Sequence, residues 1–101
     1  MQTYRLVISP GVYTDLAEIH KYISKDSADN ASKMIGRILD AVEAIRIAPN
    51  HKIVTGIKGP RPVRSLPVKP YVIYYEVLDD DRVVRLLRVR HGSRRPPTDF
   101  D

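Results

Sequence analysis

The chain has 101 residues, which is the size of one domain with a single hydrophobic core. It contains no cysteine, which excludes disulfides and thiol chemistry, and no apolar stretch long enough to span a membrane. We therefore expect a cytoplasmic protein without membrane contact. Its net charge of +5 favours an anionic partner, either nucleic acid or an acidic protein.

The positive charge is concentrated in the C-terminal half. Residues 44–75 contain six lysines or arginines and no acid, and residues 82–95 contain six arginines and no acid. Residues 1–43 are nearly balanced, with five basic and six acidic side chains. The C-terminal half should therefore carry a positive field, although a solvated basic surface without a specific ligand has the same composition.

The first predicted elements are a strand and a helix. Residues 4–8 alternate between apolar and polar side chains well enough to form a strand. Ser9 and Pro10 are typical of an N-cap and a first helical residue, so a helix should begin there. Its apolar stripe consists of Val12, Leu16, Ile19 and Ile23. We expect Asp15 and Glu18, near its N-terminal half, to be favoured by the helix dipole.

A second amphipathic helix is predicted over residues 28–48, ended by Pro49. Its apolar stripe consists of Ala31, Met34, Ile35, Ile38, Val42 and Ile45. The connection over residues 24–29 is short and polar, so the two helices should form a hairpin. The apolar stripes of both helices are expected to pack against a sheet.

The C-terminal half is predicted to contain a loop and three strands. Glycines and prolines indicate a loop over residues 51–62. Residues 63–68 form a short strand, in which Pro67 lacks an amide donor and indicates a sheet edge or an irregularity. The strongest strand patterns cover residues 71–78 and 83–91.

The predicted turn between the last two strands is Asp79, Asp80 and Asp81, expected to be a solvated tip. Residues 96–101 should be a mobile tail after a single domain of residues 1–95. The element order is therefore β-α-α-β-β-β. It predicts an α+β fold with the helical hairpin packed on one face of a mainly antiparallel sheet.

In this order the segments resemble the RelE/ParE superfamily of toxins from type II toxin–antitoxin pairs, and more closely its ParE branch. The resemblance covers nearly the whole chain, and its specificity comes from the ordered set of segments. The matching stretches are Ser9-Pro10 with Asp15-Leu16, Ile19 to Ile23, Ala31 to Ile38 with Ala41 and Pro49, Arg64 to Pro67 with Tyr71 to Tyr75, and Leu87 to Arg94.

The resemblance implies a small toxin that a cognate antitoxin holds inactive in a hetero-oligomer, with roles in growth inhibition and plasmid stabilization. Toxins of the RelE branch cleave mRNA on the ribosome, whereas the reported target of the ParE branch is DNA gyrase, without nuclease chemistry. We expect poisoning of gyrase, because the ending His91-Gly92-Ser93-Arg94 is similar to the ParE branch. A ribosome-dependent endoribonuclease and a non-toxic antitoxin-binding homologue are the alternatives.

Cleavage of RNA by this fold would need a base, an acid and cations around one phosphate. The candidates for that chemistry are Arg64, His91 and Arg94. Against it, no tyrosine follows Tyr75, and the lysines of the predicted 51–62 loop are loosely placed. His91 could equally hydrogen-bond a loop carbonyl at the end of its strand.

We expect the C-terminal cations to recognise a target, because the planar fork of arginine suits carboxylates and phosphates. The candidate target-binding residues are Arg64, Arg88, Arg90, His91, Arg94 and Arg95. The antitoxin should lie over the helical hairpin and the edge-like strand 63–68. His20 and His51 lack the spacing of metal ligands, so neither a metal nor a cofactor is expected.

Overall fold

The computed structural model describes residues 3–51, 53–58, 61–95 and 97, with the backbone alone for residues 51 and 53–58. The elements in chain order are β1 (Arg5–Ile8), α1 (Pro10–Ser24), α2 (Ala28–Ile47), a 3-10 turn (Pro49–His51), β2 (Ile53–Lys58), β3 (Arg61–Val68), β4 (Tyr71–Leu78), a second 3-10 turn (Asp79–Asp81) and β5 (Val83–His91). The two helices and the two strongest strands lie where the sequence predicts them.

The strands form one sheet in the order β1-β5-β4-β3-β2. Strands β2 to β5 form an antiparallel meander, and β1 pairs with β5 in parallel. The connection from β1 to the meander runs through both helices, which bury their apolar stripes on one face of the sheet. This arrangement confirms the predicted α+β fold.

The predicted loop over residues 51–62 is wrong in part, because residues Ile53–Lys58 form the additional strand β2. Four of its six residues are β-branched. Such residues favour strands, and here they outweigh the loop signal of the glycine. Gly56 lies where the register with β3 shifts, between Val54 and Gly56. The glycine therefore accompanies a bulge within the strand rather than a loop.

Strand β3 is an inner strand for part of its length. Its recorded pairs with β2 run from Arg61 to Ser65, and its pairs with β4 continue to Val68. Pro67 is exposed and pairs with Val72 of β4 beyond the reach of β2. Pro67, which has no amide donor, therefore lies in the part of β3 that β2 does not pair with, as the sequence predicts. For residues 63–65, which pair with strands on both sides, the prediction of an edge strand is wrong.

Helix starts follow from local chemistry. Ser9 has extended backbone geometry and precedes Pro10 at the first helical position, although its hydroxyl makes no capping hydrogen bond. In α2, the Ser27 hydroxyl accepts a hydrogen bond of 3.1 Å from the Asn30 amide. Neither helix, within the described part of the chain, is long and apolar enough to cross a bilayer.

The main core lies between the helices and the sheet. Its fully buried members include Val12, Ile38, Ile45, Ile73, Tyr75 and Val84. A smaller cluster of Val63, Tyr74 and Leu87 is buried separately. Of the predicted mobile tail, 96–101, only Pro97 falls among the described residues, and it is buried.

Candidate functional site

A carboxylate of α1 ties that helix to the open edge of β5. Strand β1 pairs with β5 only as far as Leu86. Beyond that point Asp15 Oδ2 accepts a hydrogen bond of 2.9 Å from the Val89 amide, taking the place of a neighbouring strand. The same carboxylate binds Arg88 in bidentate fashion, at 2.9 Å from Nε and 2.8 Å from Nη2. The last residues of β5 are therefore anchored to the helix.

This anchoring corrects the expectation for Asp15, which is 6% exposed and does not act merely as a surface charge favoured by the helix dipole. Its partner is separated from it by 73 positions in the chain, so no local pattern could reveal the pair. The interaction also commits the Arg88 guanidinium to a structural contact. Any contact of Arg88 with a target stays a prediction.

The chain turns sharply after His91, the last residue of β5. The Arg94 amide donates to the His91 carbonyl at 3.1 Å, and the Gly92 amide donates to the Pro70 carbonyl at 2.7 Å. A Cβ at position 92 would lie 3.2 Å from that same carbonyl oxygen. Glycine thus permits the close approach that joins this turn to the start of β4.

The imidazole of His91 is held on two sides. Its Nδ1 lies 3.1 Å from the Ser93 amide nitrogen and 2.8 Å from the Ser93 hydroxyl. Its ring packs edge-on against Tyr71, with centroids 5.6 Å apart and planes inclined by 79°. The sequence left open whether His91 bonds a loop carbonyl, and the partner found is the backbone and side chain of its own turn.

His91 and Arg94 line an open cleft of about 600 Å³ between α1 and the adjoining ends of β4 and β5. Its apolar lining comprises Ile19, Ile23, Met34, Tyr71 and Val89. Asp15 and Glu18 of α1 also line it, and Tyr22, 69% exposed, contributes an aromatic ring. The cleft thus combines an apolar lining with cations from the turn and carboxylates from the helix.

Arg64 lies near the other end of the sheet. It pairs with Tyr75, whereas His91 pairs with Tyr71, and these two positions of β4 are about 13 Å apart along the strand. Burial raises the pKa of Tyr75 to about 12, and the positive charge of Arg64 opposes that rise. The structure therefore separates Arg64 from His91 and Arg94, the three residues that the sequence suggested for one nuclease site.

The remaining predicted cations differ in their surroundings. Arg90 borders the cleft and is half-buried, and its Nε is buried without a hydrogen-bond partner in the described part of the chain. Burial raises the pKa of Tyr74, and the positive charge of the nearby Arg90 opposes that rise. Arg95 is exposed after the turn.

Sequence reasoning missed a second buried carboxylate, Glu76 of β4. Its side chain is 0% exposed and accepts from Arg61 Nε at 3.1 Å and from Arg85 Nη1 at 3.3 Å. The available signal was an acid in a strongly apolar strand flanked by basic strands. Two arginines of the acid-free segments are thereby engaged inside the molecule.

The turn from β4 to β5 is exposed, but it is more than a solvated tip. Asp79 Oδ1 accepts hydrogen bonds from the Tyr4 hydroxyl at 2.8 Å and from Asn50 Nδ2 at 3.2 Å. The bond from Tyr4, followed by that from Asn50, lowers the pKa of Asp79. These contacts link the residue before β1, the turn after α2 and the turn after β4.

The fold agrees with the comparisons to known proteins. The chain belongs to the family described as ParE toxin of type II toxin–antitoxin system, parDE, whose sequence profile matches residues 6–96. It is also 34% identical over 82 residues to the predicted toxin Y4kP of Sinorhizobium fredii, an alignment that spans 81% of each chain. The expected membership of the RelE/ParE superfamily is confirmed.

Solved structures share the fold at low sequence identity. A chain of the chromosomal ParDE system of Pseudomonas aeruginosa is 20% identical, with a TM-score of 0.71 over 88% of this chain and 96% of that one. A chain of the archaeal RelE–RelB complex of Pyrococcus horikoshii is 19% identical, with a TM-score of 0.67 over 93% of this chain and 100% of that one. The architecture described above therefore recurs in a chain from a ParDE system and in a chain from a RelE–RelB complex.

Proposed function

We propose that this toxin inhibits growth by binding and poisoning DNA gyrase, and that a cognate antitoxin neutralises it. The observation that carries the proposal is the cleft beside the turn 91–94, where an apolar lining lies next to His91 and Arg94. Such a combination suits recognition of a protein surface, since the apolar area supplies affinity and the cations supply orientation.

The positions of the three suggested catalytic residues support recognition over RNA cleavage. A nuclease must place its base, its acid and its phosphate-binding cation around one scissile phosphate. Arg64 and His91 lie on different strands with β4 between them, at positions separated by about 13 Å along β4. Arg64 therefore remains a candidate for a separate contact with the target.

The exposed side of the helical hairpin supports an antitoxin partner. Tyr13 and Tyr22 of α1 are 61% and 69% exposed, and Leu39 and Ile47 of α2 are 51% and 47% exposed. Exposed large apolar side chains on two neighbouring helices favour coverage by a segment of another protein. The Pseudomonas relative was solved as part of a ParDE toxin–antitoxin system, which supports the same kind of partner for this chain.

The deciding experiment compares two activities of the purified chain. DNA supercoiling by purified gyrase should be inhibited, and primer extension on translated mRNA should show no new ends. New ends near ribosomes, with gyrase unaffected, would replace the proposal by the endoribonuclease alternative.

Co-purification with the product of the adjacent open reading frame tests the antitoxin. A stable complex at low salt, which restores both gyrase activity and growth, is the expected result. A chain that neither inhibits gyrase nor cleaves mRNA, but binds that product, would be the non-toxic homologue.

A further inference from the structure

Two donors meet at one nitrogen of His91. The Ser93 backbone amide points at Nδ1 from 3.1 Å, and the Ser93 hydroxyl lies 2.8 Å from the same atom. An amide N–H can only donate, so Nδ1 must be unprotonated and accept through its lone pair. The proton of the neutral ring is therefore on Nε2.

The turn holds the ring in this orientation. Bonds from the Gly92 and Arg94 amides fix the backbone on either side of Ser93, and Tyr71 supports the ring edge-on. With Nδ1 directed at the turn, Nε2 lies on the opposite edge of the ring. Among the described residues, no hydrogen bond to Nε2 is seen, and the ring lines the open cleft.

We infer that His91 is a fixed Nε2–H donor that binds a carboxylate of the protein target together with Arg94, and that Ser93 is the residue that positions it. The inference rests on the proposed function, since it names the group that the target presents to the cleft. An Nε2–H group and a guanidinium offer donors alone, and so they complement an acceptor oxygen.

A protein carboxylate fits this cleft better than a nucleic-acid phosphate. Glu18 lies exposed on the same cleft, and its negative charge would oppose the continuous charge of a nucleic-acid backbone, whereas Asp15 is already paired with Arg88. A single acidic side chain brings only one negative charge into contact with His91 and Arg94. The apolar lining then takes an adjacent apolar side chain of the same protein.

The same geometry opposes acid–base catalysis by His91. To accept a proton at Nε2, the neutral ring must first carry its proton on Nδ1. That tautomer turns an N–H toward the Ser93 amide and loses the hydrogen bond that holds the turn. The local structure thus favours a ring that donates and does not cycle its proton.

Nitrogen NMR on the wild-type chain tests the tautomer directly. At a pH where the ring is neutral, long-range ¹H–¹⁵N correlations should show the Nε2–H form alone for His91. A ¹⁵N–¹⁵N coupling across the hydrogen bond from the Ser93 amide to His91 Nδ1 should be visible. His20, an exposed helix residue whose Nδ1 lies 3.3 Å from Ser24 Oγ, is the internal reference and should show no such coupling.

Two matched variants test the donor. The amide nitrogen of glutamine can occupy the position of Nε2, whereas that of asparagine lies near Nδ1. In cells that express the chain without antitoxin, His91→Asn should therefore be weaker than His91→Gln by about tenfold or more in the dose that stops growth, the value of one hydrogen bond to a charged group. Ser93→Ala keeps the amide donor and should keep the coupling.

The outcomes separate the inference from the proposed function. Absence of the coupling, or equal loss of toxicity in His91→Gln and His91→Asn, overturns the donor role whatever the chain does to gyrase. A wild-type chain without effect on gyrase overturns the proposed function whatever the coupling shows. Cleaved transcripts that disappear in both variants would assign His91 to nuclease chemistry and overturn both.

Discussion

Two arginines within β5, Arg85 and Arg88, differ from the two that follow it in what they can do. Arg85 and Arg88 lie within the strand and bind the buried carboxylates of Glu76 and Asp15. Arg94 and Arg95 follow the strand and are exposed. Sequence charge counts treat these residues as one basic surface, but the first pair stabilises the fold, and the second pair is available to a partner. Substitutions at the internal pairs and at the exposed arginines test this division separately.

The largest effect should come from breaking the internal pair at Asp15. Asp15→Ala removes three hydrogen bonds, the two from the Arg88 guanidinium and the one from the Val89 amide, at a carboxylate that is 6% exposed. Loss of one partner of such a pair costs about 3–5 kcal/mol in the free energy of unfolding. Chemical denaturation should show this loss.

Glu18→Ala is the matched control for that experiment, since Glu18 is exposed and lies on the same helix. It should change stability by at most about 0.5 kcal/mol. Equal stabilities of the two variants would show that Asp15 does not anchor β5.

A comparable effect is expected in the main apolar core between the helices and the sheet. Ile38 is 1% exposed, and its replacement by alanine should cost about 2–5 kcal/mol because a cavity remains. Leu39, its neighbour on α2, is 51% exposed, and Leu39→Ala should leave the melting temperature nearly unchanged. If Leu39→Ala were the more damaging of the two, the assignment of the buried helix face would fail. A lower affinity of Leu39→Ala for the antitoxin would support the proposal that the antitoxin covers the helical hairpin.

Outside the strand, Arg94→Ala should leave stability unchanged and weaken inhibition of the target. A hydrogen-bonded contact between charged groups corresponds to about 10–100-fold in affinity. Arg5→Ala is the matched control, because Arg5 is exposed and pairs with Val83, about 26 Å along β5 from His91. Equal weakening by both variants would mean that overall charge, and not the turn, determines toxicity. Arg64→Ala, compared in the same assay, shows whether the other end of the sheet contacts the target.

The success of sequence reasoning followed the range of the interactions. Helices α1 and α2 and strands β4 and β5 were predictable because their apolar periodicity is local. Strand β2 was missed because a bulge glycine and the neighbouring prolines resemble loop signals. The Asp15–Arg88 pair and the separation of Arg64 from His91 depend on strand register and on how α1 lies across β5. Neither of these is encoded in a nearby stretch of sequence.

The smallest expected effect is a pH dependence at the end of the sheet remote from the cleft. The hydrogen bond from Tyr4 is the main cause that lowers the pKa of Asp79, and the same bond raises the pKa of Tyr4. A depressed carboxyl pKa stabilises the fold above its ordinary value of 3.8, and this contribution is lost as the pH falls through the lowered value. A raised phenol pKa stabilises the fold below its ordinary value of 10.0, and this contribution is lost as the pH rises through the raised value.

Tyr4→Phe should therefore be less stable than the wild type between these limits, with the difference shrinking at both acid and alkaline pH. Asp80→Asn is the control, since it removes a charge from the same exposed turn without touching the Tyr4–Asp79 bond. Thermal melts of the three chains from acid to alkaline pH would measure the effect. A difference between Tyr4→Phe and the wild type that stayed constant with pH would mean that packing of the ring, and not its hydrogen bond to Asp79, joins β1 to this turn. The cleft lies at the other end of the sheet, so toxicity should be the same in all three chains.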